Sequence, residues 1–380
     1  MNRVHINPEL LRWARNRGGA STADLERKFP RLEAWERGEV DPTFRQVEQF
    51  AQATRTPVGY LFLNEPPEER VPIPDFRTVR NERLERPSPD LLEMIHVCQQ
   101  RQTWYRDHAQ SLHEDSLAYV GSVQVGGDVV TSAATVREHL DISEARQRAG
   151  TWTDALRRCI ESAEDVGILV MCSGVVLNNT HRPLDPEEFR GFALSDEFAP
   201  LVFINGKDTK AGQMFTLAHE LVHIWSGQSG VSDIEAADEA DDRTEQWCNQ
   251  VAAEFLVPLA ALRENYVPSR GVHEEKQRLA RLFKVSTLVI LRRMHDAGGL
   301  TREQLWNVYG EEVARLREIP RGSGGDFHRT QPARASRRFT KALVGSTLEG
   351  HTTFGEAFKL LGLKRSETFH NLGRSLGVHT

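Results

Sequence analysis

Thr216-Leu-Ala-His-Glu-Leu-Val-His-Ile-Trp-Ser-Gly227 is the stretch whose reading decides the rest of the chain. It predicts one helix ending near Gly227. A four-residue separation puts His219 and His223 on one face, about 6 Å apart at Cβ, where both imidazoles reach a single ion. Glu220, beside the first histidine, is then placed to act as a general base toward a water at that ion. The bare pattern His-Glu-x-x-His also arises by chance on helices whose histidines are merely hydrogen-bonded side chains, so a zinc reading needs a third ligand from elsewhere.

A zinc site with two histidines usually completes itself with a carboxylate, histidine or cysteine and keeps one position open. Glu245 opens the periodic run Glu245-Gln-Trp-Cys-Asn-Gln-Val-Ala-Ala-Glu-Phe-Leu-Val257. At about 100° per residue, Glu245, Asn249, Ala252 and Leu256 share a face, with Cys248 at its margin. The small residues there suit close approach to the first helix. Asn249, one turn after Glu245, is a candidate to hydrogen-bond a ligand histidine, the support that a metal-bound imidazole usually has. Glu254 points the other way and is expected on the surface. Glu235, Glu239 and Asp241, in the acidic loop before this helix, stay open as alternative ligands, although such loops are commonly just solvated.

Together, His219-Glu-Leu-Val-His223 and the run from Glu245 to Val257 with the following Pro258 resemble the ImmA/IrrE family of zinc metallopeptidases. The resemblance implies an α+β, zincin-like (gluzincin) minimal metallopeptidase fold, a small sheet with the two motif helices. In it His219, His223 and Glu245 hold zinc and Glu220 is the catalytic base. It also implies a zinc-dependent endopeptidase acting on a regulatory protein, a repressor or a toxin–antitoxin partner, in a stress or mobile-element circuit. The rival from another class is a non-proteolytic antitoxin or transcriptional regulator that uses the same fold as a scaffold to bind a toxin such as a PIN-type nuclease. An intact Glu220 favours the enzyme.

At 380 residues, 39% hydrophobic and 27% charged, the chain is long enough for two or three globular domains. A net charge of −6 argues against nonspecific coating of nucleic acid and leaves room only for a local basic face. No run is apolar and long enough to span a bilayer, and the first residues lack an apolar signal core, so a cytoplasmic protein is expected. Four scattered cysteines (Cys98, Cys159, Cys172, Cys248) form no Cys-x-x-Cys pair and fit reduced thiols.

The expected organisation has five parts. Residues 1–64 form a small helical domain whose stretch from Leu32 to Ala51 resembles the third and fourth helices of XRE-type helix-turn-helix domains. Its turn region is compressed, and Glu33 and Glu36 sit among its arginines, so protein contact is favoured over DNA. Residues 65–87 form a proline-rich linker. Its Pro-Asp-Phe-Arg-Thr (74–78) resembles a segment of the longer two-domain members of the family, with no chemical role apparent. Residues 88–270 form the zincin-like domain, with strands near 167–172, 191–194 and 201–205. Residues 191–204 are the candidate wall for an extended substrate, with His181 as the nearest free histidine in sequence.

Residues 271–316 read as a second helix-turn-helix-like unit with Ser286 as N-cap and with Arg292 and Arg293 as candidate phosphate contacts. Residues 317–380 read as a C-terminal helical domain after a Gly/Ser break at 321–326. There Arg334, Arg337, Arg338 and Lys341 are the best candidate nucleic-acid contacts.

Overall fold

The computed structural model describes residues 3–18, 22–76, 78–79, 82–83, 87–140, 142, 146, 148–232, 243–317 and 333–378. The carboxylates Glu235, Glu239 and Asp241 and the break at 321–326 lie outside the described residues. The chain divides into two compact units, Met1–Pro72 with Leu84–Ile95, and Ile73–Arg83 with His96–Thr380. Among the described residues no helix is long and apolar enough to cross a membrane.

The first unit holds α1 (Pro8–Arg17), α2 (Thr22–Lys28), α3 (Leu32–Glu36) and α4 (Phe44–Ala53). Asn7 caps α1, and Thr43 with Gln46 forms a capping box on α4, so the orphan N–H groups at both helix starts are met by side chains. Leu10, Leu11, Trp35, Val47 and Phe50 fill the core. The middle helices are short, seven and five residues, as the compressed sequence predicts.

In the second unit α5 (Pro89–Ser111), which begins in the first, is followed by α6 (Val129–His139) and α7 (Trp152–Asp165). A two-stranded hairpin, β1 (Thr78–Val79) and β2 (Glu82–Arg83), precedes them. The main sheet has the order β3 (Leu169–Ser173), β5 (Leu201–Asn205), β4 (Gly191–Leu194), β6 (Gly230–Ser232). β3 and β5 are parallel, while β4 runs antiparallel to both β5 and β6. Every residue of β4 and β5 is buried, which is why these strands read as continuous apolar runs and not as alternating ones.

Two expectations about the sheet change. β4 and β5 are interior strands paired on both sides, so residues 191–204 cannot offer an open edge to a substrate. The outer strand beyond β4 is β6, which lies where the sequence suggested only a loop.

α8 (Lys210–Trp225) crosses this sheet and is buried from Gln213 through Trp225. α9 (Arg243–Leu256) packs on it, and α10 (Leu259–Asn265), α11 (Val272–Phe283), α12 (Thr287–Asp296) and α13 (Arg302–Arg317) follow. Ser286 caps α12 through Val289 N–H, and Lys284, in left-handed conformation, ends α11, so the predicted turn is present. These helices share one core with α8 and α9, through Leu279, Val289, Ile290 and Met294. Residues 272–296 are therefore not an independently cored domain.

That shared packing corrects the placement of Glu254. It is 5% exposed, not on the surface, because Arg293 of α12 and the start of α10 close over its carboxylate. Its carboxylate accepts from the Arg293 guanidinium and from Leu259 N–H at 3.2 Å. Arg293 is thereby committed to the interior, and Arg292 lies 5.1 Å over the Tyr309 ring, so neither stands ready for a phosphate as expected.

The C-terminal helices α14 (Arg337–Leu348), α15 (Phe354–Leu361) and α16 (Ser366–Ser375) end the chain. Glu164, whose carboxyl burial pushes up to about 7, accepts from Ser336 Oγ at 2.5 Å and Arg337 N at 2.8 Å, capping α14. The basic run is not one face. Arg334 bonds Asn178 Oδ1 at 3.2 Å and Arg338 bonds Tyr105 OH at 2.7 Å, leaving Arg337 and Lys341 exposed.

Candidate metal centre

α8 is apolar around most of its girth, so the sheet and α9 bury it and carry His219, Glu220 and His223 inside with no exposed surface. The two imidazoles, one turn apart, have centroids 4.8 Å apart and Nε2 atoms 3.0 Å apart. α9 brings Glu245 in from its first turn, 3% exposed. Oε2 lies 3.1 Å from His219 Nε2, and Oε1 lies 3.0 Å from His223 Nε2. His219, His223 and Glu245 present ligand atoms within 4.8 Å of one another.

The outer ring nitrogens decide what the inner ones carry. His219 Nδ1 is 3.0 Å from Asn249 Oδ1, and an amide oxygen only accepts, so Nδ1 holds the hydrogen and Nε2 presents its lone pair. His223 Nδ1 faces Cys248 Sγ at 4.0 Å. An imidazole lone pair, a second imidazole nitrogen and a carboxylate thus converge on one buried point, a donor set that suits a metal cation. Burial would lower the His223 imidazole, yet Cys248 and Glu245 hold it well above its ordinary value. Burial would raise Glu245, yet His219 and His223 hold it well below the carboxylate range. Two histidines and a carboxylate in a dry site, with one imidazole fixed from behind, fit zinc.

Glu220 is the fourth member. Burial, opposed by His223 and by the Ser232 hydroxyl and reinforced by Glu245, pushes its carboxyl up to about 8. Space for it comes from Gly191 in β4. A Cβ on that glycine would lie 2.5 Å from Thr216 Cγ2, 2.8 Å from Phe203 O and 3.0 Å from Glu220 Oε1. Gly191→Ala is therefore expected to lower stability by roughly 1–3 kcal/mol, the usual cost of overpacking. Denaturant melts of the two proteins check this; equal midpoints would show that strand and helix are not tightly apposed.

The sequence reading missed three contributors. Gly191 was legible in principle, since a glycine inside an apolar strand signals a close backbone approach. The Phe76 ring stacks on His223 with centroids 6.0 Å apart, a contact no local pattern announces. Gly230 in β6 lies under the same ring. His181 is exposed, and no described contact joins it to the metal centre.

Beside Asn249 and Thr216 opens a cleft of about 320 Å³, floored by Phe215, Val289 and Leu305 with Arg190 and Arg292 in its wall. It gives the buried centre a neighbouring space of ligand-pocket size.

Comparison with curated proteins and with solved structures finds no match. Residues 335–375, which span α14 to α16, match a family model described as a domain of unknown function (DUF8813). Residues 163–295, which run from the end of α7 through α12 and contain all four residues of the centre, match the family model of the IrrE N-terminal-like domain, Peptidase_M78, a match that supports a metallopeptidase of the ImmA/IrrE type.

Proposed function

We propose that the chain is a zinc-dependent endopeptidase whose substrate is a regulatory protein, a repressor or a toxin–antitoxin partner. The observation that carries this reading is the convergence of His219, His223 and Glu245 on one point, with a wholly buried carboxylate, Glu220, beside it. Bound there, zinc supplies a Lewis acid that polarises a peptide carbonyl and makes water more acidic. Glu220 takes the proton of the attacking water and hands it to the leaving amine. Asn249 holds the His219 ring in the tautomer that presents Nε2. Burial keeps bulk water from competing for these groups.

The first unit is assigned to partner choice over DNA reading because several of its arginines pair with carboxylates of the same unit. Arg15 pairs with Glu36, Arg27 with Asp24, Arg37 with Glu33, and Arg17 with Glu69. Arg12 also donates to the Glu36 carbonyl, whereas DNA affinity draws on several uncompensated phosphate contacts.

The test is incubation of the zinc-loaded protein with the product of the neighbouring gene, followed by mass spectrometry. Discrete fragments that vanish when a chelator is added are expected. A tight complex with no cleavage in either condition would replace the peptidase with a binding protein.

A further inference from the structure

The Pro-Asp-Phe-Arg-Thr segment takes no part in the chemistry above, yet residues 74–76 lie directly against it. Asp75 bridges Val231 of β6 in parallel. Phe76 N–H donates to Val231 O at 3.0 Å, and Val231 N–H donates to Pro74 O at 2.9 Å. Both main-chain groups of Val231 that face away from β4 are thereby used. The Phe76 ring continues over the strand and stacks on His223, its plane 11° from that of the imidazole. Glycine at 230 permits this, because a Cβ there would lie 2.3 Å from Phe76 Cε2. Strand, ring and ligand histidine form one stack.

We propose that residues 74–76 are a built-in competitor for the β6 edge, a short strap that covers the metal centre until an extended peptide strand takes its place. The inference rests on the peptidase reading and adds to it how substrate is held and how the site is kept shut. A sheet edge binds an extended peptide through main-chain hydrogen bonds. β6 is suited to that role because Ser232 pairs with Gly191, which abuts Glu220, while Gly230 lies under the ring that stacks on His223.

Pro74 has no N–H to extend the pairing and Pro72 lies just before it, so among the described residues the main-chain pairing of the strap with β6 is limited to two hydrogen bonds. A parallel pairing is also the less stable kind per residue. A longer strand offered by a substrate makes more hydrogen bonds along the same edge and displaces it. With His219, Glu220 and His223 wholly buried, access requires that something move, and among the described residues the strap's Phe76 ring lies on the ligand ring.

The experiment uses the full-length, zinc-loaded protein and two readouts, the rate at which a strong chelator removes zinc and the rate of β-casein cleavage. Phe76→Ala is expected to raise both by roughly tenfold, because a site that is mostly covered is slowed by its closed fraction. Gly230→Ala keeps the ring but drives it off the strand, and is expected to act in the same direction. Phe76→Tyr, which preserves the ring, should stay near wild type. The two alanine variants are independent, so early melting of one leaves the other to decide.

Unchanged zinc removal in both overturns the proposal. So does faster removal with casein cleavage below wild type, since Phe76 would then be positioning His223 and not covering it. Faster zinc removal with no casein cleavage by any form, wild type included, supports the strap and rejects a general peptidase, leaving the regulatory-protein substrate to the test above.

Discussion

Glu220→Gln is expected to keep zinc at about one per chain and the fold intact while cutting cleavage by on the order of 10² to 10⁴, the usual cost of losing a general base. The substitution isolates one function. Glu220 is adjacent to the ligand set but is not part of it, since the converging atoms belong to His219, His223 and Glu245. Glutamine has nearly the same shape and no charge, and so resembles the protonated carboxyl that burial favours in the metal-free chain. Little packing is therefore disturbed, and what is lost is the capacity to take a proton. Metal analysis and fragment formation from the same preparation check the two halves of the expectation. Wild-type cleavage by the glutamine variant would sink the role given to Glu220, and zinc loss would mean that the carboxylate is a ligand after all.

Much of the centre was legible because it is built from local periodicity. His219 and His223 fall on one face by spacing alone, and Glu245 and Asn249 do so on the next motif helix; the packing of α8 on α9 then brings the two faces together. β3, β4 and β5 were legible for a related reason, since buried strands in a covered sheet appear as unbroken apolar runs. β6 was not. Gly230, Val231 and Ser232 are too few for a period of two to show, and they adjoin an acidic run that reads as solvent.

Charged residues misled in a consistent way. Glu254, Arg293, Arg334 and Arg338 were read outward because an amphipathic pattern assumes water on its polar face, whereas here another helix or loop supplies the partner. Which segment will cover a helix's second face is a tertiary fact. The 74–76 strap belongs to the same class, since its partners Val231 and His223 lie far along the chain.

Glu245→Ala and Glu254→Ala are expected to fail in opposite ways, although both residues are buried carboxylates of the same helix with cationic or imidazole partners. Glu245 faces the two imidazoles, and its loss takes away the third ligand. Zinc affinity should fall by more than the 10- to 100-fold that losing a supporting group costs, and stoichiometry in the isolated protein should drop well below one. Asn249→Ala, which frees only the His219 ring, should stay within that 10- to 100-fold range. Glu254 never approaches the centre and instead joins α9 to the helices that follow, through Arg293 and Leu259 N–H. Its removal leaves the buried Arg293 guanidinium with only the half-exposed Asp296 as a carboxylate partner, a defect expected to cost at most about 3–5 kcal/mol, while the folded fraction should still bind one zinc. Denaturant titration run beside metal analysis separates the two outcomes. If Glu254→Ala loses zinc at unchanged stability and Glu245→Ala keeps it, the ligand set is wrong and α9 presents its other face to the metal.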